Sequence, residues 1–195
     1  MGAALDVRMT TGSRVTRRRR TGNVRRAIGT LVDAGPDAAQ LSPGEAPLLQ
    51  LFPGPDKPAL VMRADVTSVH GAPAGGRAYS ELVEDAVGRA VRLDAACVVA
   101  SRLLAPDEPE LHRTCVRNVS RLKTDCEPAG MPLMVAPLAV AAGDRALERT
   151  LALVRQAVEL GAAIVAVAAP ASSRRLPEGD RDGGRSPVLH ARRRG

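Results

Sequence analysis

The chain has 195 residues, 45% of them hydrophobic, and a formal net charge of +7. That length suits one domain with or without loose ends. Phe52 and Tyr79 are the only aromatic residues, which excludes an aromatic core: Val, Leu, Ile, Met and Ala must fill the interior, each gaining less on burial than an aromatic ring, so marginal stability is expected.

In chain order, residues 1–22 are polar, Arg-rich and without hydrophobic period. They are predicted to be a disordered arm. Asn23 is placed to cap a short helix to about Ala34, with Val24, Ile28, Leu31 and Val32 on one side and Gly35-Pro36 ending it. A Pro- and Gly-rich loop follows. Leu48, Leu49, Leu51 and Phe52 then form an apolar cluster, a candidate helical cover for an open barrel end, before the turn residues Pro53-Gly-Pro-Asp56. Strand-like runs occur at Ala59 to Arg63, Ala95 to Val99, Met131 to Val135 and Ala162 to Ala168. Between them lie three helical patterns: about Ser80 to Arg92 (Leu82, Val83, Ala86, Val87, Ala90, Val91), about Glu108 to Glu127 (Leu111, Cys115, Val119, Leu122, Cys126) and about Asp144 to Leu160 (Leu147, Leu151, Val154, Val158). Asp144 is the expected cap of the third and Gly161 its stop. Residues 171–195 have no hydrophobic period and are predicted to be a disordered basic tail.

The strand starts at 59, 95, 131 and 162 are 31 to 36 residues apart, the length of a strand-helix unit in a parallel sheet. Residues 23–170 are therefore read as one α/β domain, an incomplete TIM-barrel-like run of about four strand-helix units, since a closed eight-stranded barrel takes about 250 residues. A small doubly wound sheet is the alternative. A half-barrel would leave strand edges and an apolar inner face exposed, inviting self-association or a partner chain.

Apart from Lys57 and Lys123 the basic residues are all Arg, concentrated in Arg17 to Arg20, Arg25 and Arg26, then Arg174, Arg175, Arg181, Arg185 and Arg192 to Arg194. Such arms are either solvated tails or a polyanion-binding surface; neither carries the aromatic residues of single-strand stacking. Cys97, Cys115 and Cys126 show no C-x-x-C pair and fall on apolar positions, as buried thiols in a reducing compartment would. His70, His112 and His190 lack ligand spacing, so no metal site is expected. No apolar run of about 18 residues is present, the Arg cluster precedes no signal region, and the first six residues lack a myristoylation signal. A cytoplasmic protein without a membrane partner is expected.

Three stretches carry a resemblance: Phe52-Pro-Gly-Pro-Asp-Lys-Pro-Ala-Leu-Val-Met-Arg-Ala-Asp65, Gly130-Met-Pro-Leu-Met-Val135 and Glu159-Leu-Gly-Ala-Ala-Ile-Val165. From Leu51 to Ala169 their order resembles the archaeal-type class I fructose-bisphosphate aldolases and the superfamily with deoxyribose-phosphate and tagatose-bisphosphate aldolases. The resemblance implies reversible aldol cleavage of a sugar phosphate through a lysine imine, with no metal or other cofactor. It places Asp65 at the end of the first strand, as a catalytic acid handling protons around the imine; a polar cap on a strand end is the plain alternative. It places the lysine at Ala166, where the amine is missing. Ala136 and Pro137 stand where the family offers a proton donor or substrate contact, and the phosphate-gripping loops of the last two strands have no counterpart. Gly75-Gly76-Arg77 is a weak phosphate motif.

Three functions follow. The first is a truncated or degenerate aldolase-like protein, catalytically impaired at Ala166, whose reading frame departs from its ancestor near Pro170. The second is an aldolase completed by a partner chain. The third is a non-catalytic basic module binding nucleic acid through its Arg arms.

Overall fold

The computed structural model describes residues 9–11, 22–55, 57–67, 79–104, 108–139, 146–168 and 188–189. Its elements are β1 (Met9–Thr11), α1 (Gly22–Asp33), β2 (Ala38–Leu41), α2 (Ala46–Leu49), β3 (Ala59–Arg63), β4 (Asp65–Thr67), β5 (Ser80–Leu82), α3 (Ala86–Arg92), β6 (Ala95–Leu104), α4 (Pro109–Cys126), β7 (Leu133–Ala139), α5 (Ala146–Glu159), β8 (Ile164–Val165), β9 (Val167–Ala168) and β10 (Val188–Leu189). Six strands form one sheet in the order β1-β2-β3-β6-β7-β8, and every neighbouring pair is parallel. The strands thus follow one another across the sheet without reversing direction of winding. Right-handed crossovers then put every connecting helix on the same face, which removes the doubly wound alternative. Among the described residues β1 and β8 are not paired with each other, and the barrel is not closed.

Strand alternation sorts the side chains into two layers. Toward the helices point Leu60, Met62, Val98, Ala100, Leu133, Val135 and Val165, packed with Ile28, Leu49, Ala90, Val119, Leu122 and Ala157. Each fully buried Leu or Val of this layer contributes about 1.5–3 kcal/mol. Away from the helices point Ala38, Val61, Cys97, Val99 and Met134, with Ala136, Ile164 and Ala166 packed beside them. The expected exposure of this inner face is not found: Val61, Cys97, Val99 and Met134 are only 2–3% exposed.

Several local expectations change. Met9–Thr11, inside the arm, forms β1 beside β2, and Val188–Leu189, inside the tail, pairs antiparallel with β9. The segment 38–41, read as loop, is a strand; Ala-Ala-Gln-Leu between Pro36 and Pro43 carries no β-branched residue, so composition hid it. Strand 59–63 is consequently third in the sheet, not first. Ser80–Leu82 is strand rather than helix: it pairs antiparallel with Asp65–Thr67, and Asn118 Nδ2 donates to the Ser80 carbonyl at 3.1 Å, fixing the hairpin to α4. α3 starts only at Ala86, after Asp85 in the left-handed region (φ 50°). Asn23 lies inside the first turn of α1, and Asp144 lies outside the described residues.

α4 buries the five residues expected of it, Leu111, Cys115, Val119, Leu122 and Cys126. α5 is turned relative to expectation. Leu153 and Ala157 are buried, whereas Leu147 and Leu151 are each 59% exposed and Val158 39%. The small Ala157 lets the helix approach the sheet closely, so the approach is made on its face rather than on the leucine stripe. Gly161 ends this segment in the left-handed region (φ 84°), and a Cβ there would meet the Lys123 side chain at 2.9 Å. No helix of the described residues is long and apolar enough to cross a membrane.

Candidate functional site

In a parallel α/β sheet the chemistry gathers where the strands end, at their C-terminal edge. Arg63 closes β3 on the concave face, two residues beyond Val61. Asp65 follows it, and Ser101 lies on the neighbouring β6 two residues beyond Val99. Gln40 of β2, in register with Val61, shares this face.

Asp65 is 2% exposed. Its Oδ2 accepts from the Ser101 backbone N–H at 2.8 Å, its Oδ1 lies 3.5 Å from Ser101 Oγ, and Arg63 Nη2 approaches Oδ1 at 3.4 Å. The main-chain ladder from β3 to β6 stops as the chain leaves for the β4–β5 hairpin, after Ala64 N–H bonds the Val99 carbonyl at 2.8 Å. The Asp65 carboxylate carries the ladder one step further and satisfies a backbone donor that would otherwise be orphaned.

Ala166 sits between β8 and β9, half-buried in the concave layer, with its N–H donating to the Val135 carbonyl at 2.9 Å. A side chain here points to the same interior as Val99 and Met134. Ala136 shares the layer; Pro137 is buried. Both lysines lie elsewhere. Lys57 precedes β3 and donates to Gln50 Oε1 at 2.7 Å, while Lys123 ends α4 beside Gly161, 3.2 Å from Glu127. Both are at the N-terminal edge of the sheet, opposite Asp65.

A second polar group lies on the helix side. Arg102 of β6 is fully buried. Its Nη1 donates to the His112 carbonyl at 3.1 Å and its Nη2 to Gln156 Oε1 at 2.7 Å. Both nitrogens of the His112 ring lie 3.1–3.2 Å from the guanidinium. One imidazole cannot accept in its plane from both sides of this fork, so the contact is a stack of ring on guanidinium. Arg102 Nε finds no acceptor among the described residues. Burial pulls the Arg102 pKa down. Burial, then the neighbouring Arg102 charge, pull that of His112 below 6.5. Burial pushes the thiols of Cys97 and Cys126 up to about 11 and raises Cys115 as well, which keeps them in the thiol form that suits packing.

Among the described residues no group of three or more His, Cys, Asp or Glu is placed to hold a metal ion. His70, His190, Gly75-Gly76-Arg77, Arg17 to Arg20 and the arginines from Arg174 onward lie outside the described residues. Sequence reasoning named Asp65 and Ala166 but missed Arg63, Ser101 and Gln40. The signal for Arg63 was available: in Leu60-Val61-Met62-Arg63 it shares the parity of Val61.

The family model of the DeoC/LacD family aldolases matches residues 4–182. An archaeal fructose 1,6-bisphosphate aldolase is similar in fold, with a TM-score of 0.54, 23% identity, and cover of 72% of this chain and 53% of that one. An archaeal structure with the catalytic Lys covalently bound to the carbinolamine intermediate of the substrate gives 0.51, 23%, 71% and 52%. The tetrameric deoxyribose phosphate aldolase from Aeropyrum pernix gives 0.50, 17%, 82% and 60%. The chain thus spans a little over half the length of these solved structures. No curated protein matches it.

Proposed function

Because the chain belongs to the DeoC/LacD aldolase family, we propose that it keeps part of the family's barrel scaffold and lacks the imine chemistry. One observation supports this reading: position 166, which the resemblance matches to the imine lysine, carries only the methyl of an alanine in the concave layer. A class I aldolase needs an amine there to attack the substrate carbonyl and expel water. Neither lysine substitutes, since both lie at the opposite edge of the sheet. In this reading Asp65 is a positioning residue. Its lone pairs are engaged by Ser101 and Arg63, which leaves it holding strand ends and a neighbouring cation rather than moving protons.

The test is an aldol-cleavage assay of the 195-residue chain across three- to seven-carbon sugar phosphates. No turnover above background is expected. Cleavage that is abolished by borohydride in the presence of substrate would overturn the reading.

A second reading concerns partners. The stripe of Leu147, Leu151 and Val158 on α5 and the side of β8 that has no strand beside it among the described residues favour self-association there. Light scattering of the chain and of Leu147→Glu/Leu151→Glu tests it: an oligomer that the double substitution dissociates is expected, and an unchanged mass would reject it.

A further inference from the structure

We propose that Arg63 is an anion-binding residue of the concave mouth, gripping the phosphate or carboxylate group of a small ligand while Asp65 holds its guanidinium in place. The inference rests on the reading above for the position of the mouth, and adds the residue that would hold a ligand there without a covalent bond.

Four observations carry it. First, β3 is apolar on both sides until its last residue, where Arg63 occupies a concave position in register with Val99. Hydrophobic packing would favour another Val there, so the charge needs a reason. Second, the guanidinium is only lightly engaged among the described residues. Arg presents five donors, and within the described residues Arg63 Nη2 reaches Asp65 Oδ1 at 3.4 Å, at the outer limit of a hydrogen bond. Asp65 meanwhile is held tightly by the Ser101 N–H at 2.8 Å, so it serves Arg63 as an anchor rather than as a full partner. Third, the Arg63 side chain is 29% exposed while that of Asp65 is 1% exposed. The carboxylate is out of reach of a ligand, whereas part of the Arg63 side chain is within reach. Fourth, the neighbouring concave side chains Ala136 and Ala166 are methyl groups, which offer the fork no competing acceptor. A planar fork restrained on one side and, among the described residues, open on the other suits two parallel N–H···O bonds to an oxyanion.

The experiment is calorimetric titration of the full chain with inorganic phosphate and, separately, with malonate, repeated on Arg63→Gln, Arg63→Lys and the control Arg155→Gln. Arg155 is an exposed α5 residue paired with Glu159, and removes the same charge away from the mouth. Arg63→Gln is expected to weaken binding at least tenfold, about 1.4 kcal/mol, Arg63→Lys at least threefold through loss of the fork, and Arg155→Gln not at all. Preference for one probe identifies the anion as phosphate or carboxylate. Binding unchanged in Arg63→Gln, an equal loss in Arg155→Gln, or no binding of either probe to the native chain would overturn the proposal. Should Arg63→Gln fail to melt cooperatively, Arg63→Lys decides, and undiminished affinity in that variant overturns it. Failure of the reading on imine chemistry shows instead as turnover, which these titrations do not measure, so the two can fall separately.

Discussion

The two faces of this one sheet obey different rules. On the helix side, Leu60, Met62, Leu133 and Val135 meet Leu49, Val119 and Leu122 in an apolar layer whose polar exception, Arg102, is wrapped by His112 and Gln156. On the concave side the residues are smaller, and polarity collects at the strand ends, in Arg63, Asp65 and Ser101. The helix side gives the chain its stability and its fold. The concave side carries the strand-end polar residues and, at position 166, the alanine on which the proposed loss of imine chemistry rests.

The largest effect expected from this contrast is on the helix side. Leu122→Ala should cost about 3 kcal/mol in denaturant unfolding, by transfer plus the cavity left behind; a loss below about 1 kcal/mol would mean that the helix layer is not the main core. Next is the link between the faces at the strand ends. Asp65→Ala leaves the Ser101 N–H without its acceptor and should cost about 1–3 kcal/mol, with Asp65→Asn costing less because an acceptor remains. If Asp65→Ala melts like the native chain, the carboxylate is not extending the ladder.

A smaller effect is tied to pH. The folded pKa of His112 lies below its unfolded value of 6.5, so below pH 6.5 the unfolded state binds the extra proton first. Stability contributed by the neutral ring is complete above about pH 6.5 and lost as pH falls through the folded pKa. Melting temperatures from pH 7.5 to 5 should decline more steeply for the native chain than for His112→Gln; parallel curves would break the Arg102 stack. The smallest effect is on the exposed stripe of α5. Leu151→Ala, measured at a dilution that gives monomer, should fall within about 0.5 kcal/mol of native, against a loss of about 3 kcal/mol for Leu153→Ala two residues on.

How much the sequence disclosed follows the same division. α4 was legible to the residue because Leu111, Cys115, Val119, Leu122 and Cys126 repeat at helical spacing and nothing competes with them. α5 was legible in extent but not in orientation, because Leu147, Leu151, Val154 and Val158 make the stronger stripe while the sheet selects Leu153 and Ala157. Periodicity counts apolar residues; close approach counts small ones. β2 was hidden by Ala-rich composition between prolines, and β5 by a helix-like run whose first residues are drawn into a hairpin with β4. At the mouth, Asp65 and Ala166 were found through resemblance, while the partnership of Asp65 with Ser101 joins residues 36 apart in sequence and becomes visible only when β3 lies beside β6.

On the proposed reading, position 166 of the concave layer, matched by resemblance to the imine lysine, carries no amine. Its most direct test is intact-mass spectrometry of the native chain and of Ala166→Lys after incubation with dihydroxyacetone phosphate and borohydride. The account expects the native chain to emerge unmodified and the variant to gain one adduct mapped to position 166. An adduct on the native chain, mapped to Lys57 or Lys123, would contradict it.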